Sequence, residues 1–189
     1  MSTTLLTGFN IANVERVRVT TEETTPKTYM YRTMTSFDAE PYVNEGEEVT
    51  QRVKNTIMGR IKTDDLLEGY DISCEDERLI PQVLALVDGG TYDDEEQSYA
   101  APAIGTEVVR TPFTLDLYTS DRGGDGEVKN YLQWTFPHCK GKPVKITGKD
   151  NEFTKQAYDI ASRPGDGDSP FTVKVVDALP EDPVSGVGG

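Results

Sequence analysis

Residues 66–90, LLEGYDISCEDERLIPQVLALVDGG, decide how this chain reads. Leu66, Tyr70, Ile72 and Cys74 share one face of a strand, interrupted by Glu68. Pro81 then suits the first position of a helix, where a missing N–H has no partner to lose. Val83, Leu84, Leu86 and Val87 make the helix apolar over much of its circumference. Gly89 and Gly90 supply the left-handed residue that closes it. A helix of about residues 80–88 is too short to stand alone in water, so it must pack on a sheet. It is expected to be core.

Working outward, the rest of the chain is strand-like. Val14, Val17 and Val19 alternate imperfectly with Arg16, Arg18 and Thr20. TTEETTP is a turn, and KTYMYRTMTSF (residues 27–37) is rich in the Thr, Tyr and Phe that favour a pleated surface. Its alternation is poor, because Met30 and Met34 share a face with Arg32 while Tyr29, Tyr31 and Phe37 point the other way. Beyond the helix, TYDDEEQSYAAPAIG is an acidic loop. TPFTLDLYTS and YLQWTFP alternate cleanly around the glycine-rich DRGGDGEVKN, which predicts a hairpin. KPVKITGKD and EFTKQAYDIASR read as two further strands, and FTVKVVDAL as the last. One domain over residues 1–178 fits the length. PEDPVSGVGG, within residues 179–189, reads as a flexible tail.

Residues 38–65, DAEPYVNEGEEVTQRVKNTIMGRIKTDD, break the pattern. Apolar positions are scattered and charges of both signs are frequent. So long a segment without clear structure is unusual inside a compact domain and tends to be functional. Two readings stand: a hairpin with a loop, or an arm reaching a neighbouring subunit. Arg52, Lys54, Arg60 and Lys62 concentrate basic charge here, against an acidic remainder that an identical partner would present.

The 189 residues carry a formal charge of −14. That balance disfavours a surface built to grip nucleic acid phosphates or an anionic membrane. Two cysteines, Cys74 and Cys139, cannot make a disulfide framework, and both are expected to be reduced thiols. No secretory leader or membrane span is read from the sequence.

No motif carries chemistry. Asp121, Gly123, Asp125 and Gly126 imitate the start of a calcium loop, but Leu132 stands where the bidentate Glu belongs. Asp166 and Asp168 read as turn residues. GKPVKITGK has the wrong glycine spacing for a phosphate loop, and Asp150 replaces the magnesium-binding hydroxyl. His138 and Cys139 are sequence neighbours on a strand, which point apart and cannot form a catalytic pair. No catalytic residue, metal ligand or cofactor is expected.

Several runs, in this order, resemble the major tail tube proteins of long-tailed bacteriophages. They are GFNIANVERVRV, EPYVNEGEEVTQRVKNTIMGRIKTDDLLEGYDISCED, IPQVLALVDGG and YLQWTFPHCKGKPVKITGKDNEFTKQAYDIASRPGDGDSPF. The resemblance covers most of the chain and rests on order and residue type. It implies a mainly β fold, an antiparallel sandwich or small barrel with one flanking helix and a long intersubunit loop. It further implies a non-enzymatic subunit whose hexameric rings stack into a hollow tube that conducts a viral genome. The arm would then be carried by Glu45, Glu47, Glu48, Arg52, Lys54, Arg60 and Lys62, with Val83, Leu84, Leu86 and Val87 as the core helix. Implied partners are further copies of the chain, a tail tip or baseplate initiator, a tape measure protein and a tail terminator. DNA would pass through the lumen without specific binding, and the chain would not insert into a membrane. The implied location is the virion, after assembly in the host cytoplasm. A tube protein of a contractile injection system is a close variant, and a β-sandwich ligand-binding module is an alternative of another class.

Overall fold

The computed structural model describes residues 8–181. The strands are β1 (Ile11–Thr21), β2 (Thr28–Tyr31), β3 (Met34–Asn44), β4 (Glu48–Val53), β5 (Thr56–Lys62) and β6 (Leu66–Asp76). After helix α1 (Pro81–Asp88) come β7 (Thr91–Asp93), β8 (Ser98–Ala100), β9 (Phe113–Arg122), β10 (Val128–Gly141), β11 (Gln156–Ser162) and β12 (Thr172–Val176). All pairings are antiparallel. The architecture is a β-sandwich with one helix; the sheet does not close into a barrel.

The main sheet runs β2-β1-β9-β10-β11-β6-β3, with β12 also paired to β10. Strand β10 is the joint. Its first half pairs β12 from Tyr131↔Val176 to Thr135↔Thr172, and its last residues pair β11 from Cys139↔Ser162 to Gly141↔Ile160. Between them lies Pro137, which has no N–H to give a ladder, and His138, whose φ of 49° is left-handed. The register against β9 shifts at the same place, between Phe136 and Cys139. A bulge of this kind bends a strand, so one strand can serve both layers.

The core lies between the layers. Val17 and Val19 of β1, Phe113, Leu115 and Leu117 of β9, and Phe136 and Cys139 of β10 face Ile72 and Cys74 of β6 and Tyr158 and Ile160 of β11. Helix α1 joins this cluster through Val83, Leu84 and Val87, all buried. Burial is worth about 1.5–3 kcal/mol for each such side chain. Leu86 is only half-buried, packed at the edge of the cluster. Pro81 opens the helix and Gly89 closes it at φ 86°, donating its N–H to the Ala85 carbonyl at 3.0 Å. The Arg110 guanidinium also reaches the Val87 carbonyl, at 3.2 Å. That cation at the helix C-terminus offsets the dipole.

Two expectations are corrected. KPVKITGKD is not a strand: residues 142–149 form no ladder, and Pro143 removes a donor there. The stretch 27–37 is two strands, because a bend at Arg32–Thr33 resets the alternation. Tyr31 and Met34 therefore both turn to the core. Residues 38–65 make up the end of β3 and the β4–β5 hairpin, a hairpin being one of the two readings of that segment. The expected tail falls mostly outside the described residues. Its first part, however, is packed: Leu179 and Pro180 are half-buried, and Arg16 Nη1 donates to the Pro180 carbonyl.

Candidate assembly surface

The β4–β5 hairpin stands away from the sandwich as its own two-stranded sheet. Every residue from Glu47 to Glu68 is exposed. The sequence-derived arm residues all lie on it or at its base, and they do different things. Glu48 and Arg60 form an ion pair at 2.9 Å across the two strands. The Glu47 backbone N–H donates to Thr63 Oγ1 at 2.8 Å, and the Thr63 N–H returns to the Glu47 carbonyl at 3.0 Å. Lys54 takes φ 53° at the tip. Glu45, Arg52 and Lys62 are exposed. What sequence reasoning missed is the apolar content of this hairpin: Val49 sits directly opposite Ile61, and Val53, Ile57 and Met58 are exposed beside them. A two-stranded hairpin is marginal in water without something to pack on.

The base of the hairpin is clamped. The Gly46 N–H donates to Asp65 Oδ1 at 2.9 Å, and a Cβ at Gly46 would fall 1.9 Å from the Thr63 carbonyl oxygen. Arg163 lies over the Tyr42 ring at 4.1 Å from its centroid. Its guanidinium also donates to the Tyr70 carbonyl at 2.7 Å and to Asp71 Oδ1 at 2.9 Å. Burial pushes the Asp71 carboxyl up, but Arg163 and Lys142 outweigh it and leave it below the ordinary carboxylate range. One side chain thus ties β3, β6 and the end of β11 together where the hairpin departs.

The outward residues of β3, β6 and β11 make an acidic face. Asp38 and Glu40 stand opposite Ser73 and Asp71, and Glu75 and Asp159 continue the surface. Lys142, Arg163 and Lys155 partly neutralise it through Asp71 and Glu75. The contrast with the hairpin is sharp. Residues 48–62 hold four of the chain's 19 Lys and Arg residues but only one of its 33 acids.

Where β10 leaves β12 for β11 the two layers part, and an open groove of about 230 Å³ remains. Phe37 and Ala39 of β3, Tyr70 of β6, Trp134 and Phe136 of β10, and Phe171 just before β12 line it. The rings are in mutual contact: Phe171 meets Tyr70 edge-on at 5.1 Å and stacks on Phe136 at 5.8 Å. The Trp134 indole N–H is already used, donating to Thr119 Oγ1 at 3.0 Å. The groove surface is therefore apolar, with Asp38 at its rim.

The polar outer face of the other layer is self-contained. Asp116 is buried and accepts from Arg18, Gln133 and Thr135, at 2.8, 3.0 and 2.5 Å. Cys139 and His138 point apart, as strand neighbours must. Cys139 Sγ is in the core, 3.3 Å from the Phe136 carbonyl, while the His138 ring meets Glu22 at 2.9 Å outside. Burial pushes both thiols up to about 12, so neither is a thiolate near neutral pH. Among the described residues, no group of three or more His, Cys, Asp or Glu converges on a point that could hold a metal ion.

No protein-family profile matches this chain, and no curated protein sequence does. Among solved structures, it is similar to a chain of the 6-fold symmetrised cryo-EM structure of the anti-feeding prophage (AFP) baseplate. That similarity has 8% identity and a TM-score of 0.36, covering 93% of this chain and 97% of the other. So low a score does not establish a shared fold.

Proposed function

We propose that this chain is a non-enzymatic structural subunit of a phage-type tail tube. Its hexameric rings stack into a hollow conduit for the viral genome, and the β4–β5 hairpin is the arm between subunits. The observation that carries this reading is the hairpin itself: a fully exposed two-stranded element with apolar and basic side chains, on an otherwise acidic chain. Burial against another copy would supply the packing that it lacks here. The unpaired outer edges of β2, β3 and β12 support the same reading, since exposed edges invite strand addition unless assembly covers them. A contact between two different patches makes a ring if its rotation closes and an open filament if it does not, so a ring contact and a separate stacking contact build a tube. The acidic face of β3, β6 and β11 is the candidate lumen wall, where carboxylates would repel DNA phosphates and let the genome slide. Sedimentation of purified protein across a concentration series tests the proposal. Fast-sedimenting polymer is expected from the intact chain, and folded monomer from a chain in which residues 48–62 are replaced by a short turn. Equal polymerisation of both proteins would remove the hairpin from the account.

The aromatic groove favours a second reading, a ligand-binding β-sandwich. Its volume lies below the roughly 300–1,000 Å³ of small-molecule pockets, which ranks that reading second. Saturable binding of a glycan by a stable monomer would reverse the order.

A further inference from the structure

We infer that the aromatic groove is the receptor for the hairpin, so that the β4–β5 hairpin of one copy seats its apolar side chains in the groove of a second copy. This rests on the self-assembly reading above and names the two surfaces that meet. Among the described residues the groove is uncovered, and it is apolar and about 230 Å³ in volume, a size suited to one or two aliphatic side chains. The hairpin offers such groups: Ile61 is 70% exposed and Met58 65% exposed, and no described residue of their own chain covers them. Met is also the side chain best able to adapt to an aromatic wall.

The charges agree. The groove rim carries Asp38, at the border of the acidic face of β3, β6 and β11. The hairpin brings Arg52, Lys54 and Lys62, which form no ion pair among the described contacts, besides the internally paired Arg60. A basic hairpin sliding over an acidic rim into an apolar slot gives both steering and burial.

The hairpin of the same copy does not fill the slot. Ala39 is five residues before Asn44, where β3 ends, so at strand rise the hairpin base starts roughly 16 Å away. Every hairpin residue is exposed, which intramolecular docking would forbid. Groove and hairpin are different patches of one chain. The contact is therefore heterologous, and each docked copy still offers one free hairpin or one free groove.

Disulfide trapping tests this directly. A Met58→Cys chain and an Ala39→Cys chain are mixed under assembly conditions and mildly oxidised, then separated without reductant. The native thiols are buried and do not interfere. Trapped dimers are expected from the mixture and from neither variant alone, and a ladder of higher multimers from the Met58→Cys/Ala39→Cys double variant. If Ala39→Cys fails to fold, Asp38→Cys on the exposed rim replaces it. Polymer that sediments normally but gives no trapped dimer overturns the docking proposal and leaves the tube reading standing. Absence of both polymer and dimer overturns the two together. A double variant that cross-links only within one chain also overturns the proposal.

Discussion

Replacing Asp76 with Asn should stabilise the subunit, and the gain should depend on pH. Asp76 is fully buried at the end of β6. Its Oδ1 accepts the Arg78 N–H at 3.0 Å, whereas its Oδ2 has the Thr33 hydroxyl nearby but no well-formed hydrogen bond. Directly across the ladder sits Gln156, also buried, whose Oε1 is likewise unpaired. Paired residues thus each bury one acceptor oxygen without a hydrogen bond. Burial, aided by the Glu77 charge, holds the Asp76 carboxyl above its ordinary range, although Thr33 and the Arg78 N–H pull the other way. The sign follows from linkage. A carboxyl raised in the folded state binds its proton more tightly there, so its contribution is intact below the unfolded value and lost as pH rises through the folded one. At neutral pH the native chain bears that loss. Asparagine keeps the acceptor for Arg78 and removes the buried charge. Relieving an unsatisfied buried polar group is worth about 1–3 kcal/mol. For a chain of this size that is a rise of roughly 2–12 °C in Tm. Thermal melts of unassembled protein at pH 7 and below pH 4 read both parts: a gain at neutral pH that shrinks in acid. An Asn variant less stable than native at pH 7 would refute the reasoning, because the carboxylate would then be making a compensating contact.

Other variants report on separate parts of the fold. Leu84→Asp puts an unpaired charge into the core cluster and should abolish soluble, folded subunit; circular dichroism of a folded Leu84→Asp chain that merely failed to polymerise would make α1 an interface instead of core. Gly141→Ala should cost about 1–3 kcal/mol through overpacking, since a Cβ there would lie 2.1 Å from the Val87 carbonyl oxygen, and urea unfolding measures it. Glu22 is raised by partial burial but lowered further by the His138 and Thr114 contacts, ending below its ordinary range. Its contribution is thus present above the unfolded value and disappears as pH falls through the folded one. Because the Glu22–His138 pair is partly exposed, Glu22→Gln should change acid-side stability by less than about 1 kcal/mol.

The sandwich was legible where one face of an element is apolar and the other polar. Phe113, Leu115 and Leu117 alternate because β9 has a core side, and Pro81 to Gly89 reads as a helix because its ends are marked chemically. The hairpin stood only as one of two readings for the same reason inverted: with both faces in solvent, burial imprints no period on Val49, Ile57 and Ile61. The Arg32–Thr33 bend hid Met34, since one extra residue moves every later side chain to the other face. The groove was harder still. Phe37, Tyr70, Trp134 and Phe171 come from four places in the chain, and only the fork in β10 brings them together. Pro137 within an otherwise strand-like run is the signal that could have announced that fork.

Electron microscopy of the assembled protein tests the central claim most directly. Hollow tubes of stacked six-fold rings are predicted, with the β4–β5 hairpin bridging subunits and Glu40, Asp71, Glu75 and Asp159 facing the lumen. Monodisperse single subunits at every concentration, with or without a tail-tip initiator, would contradict it.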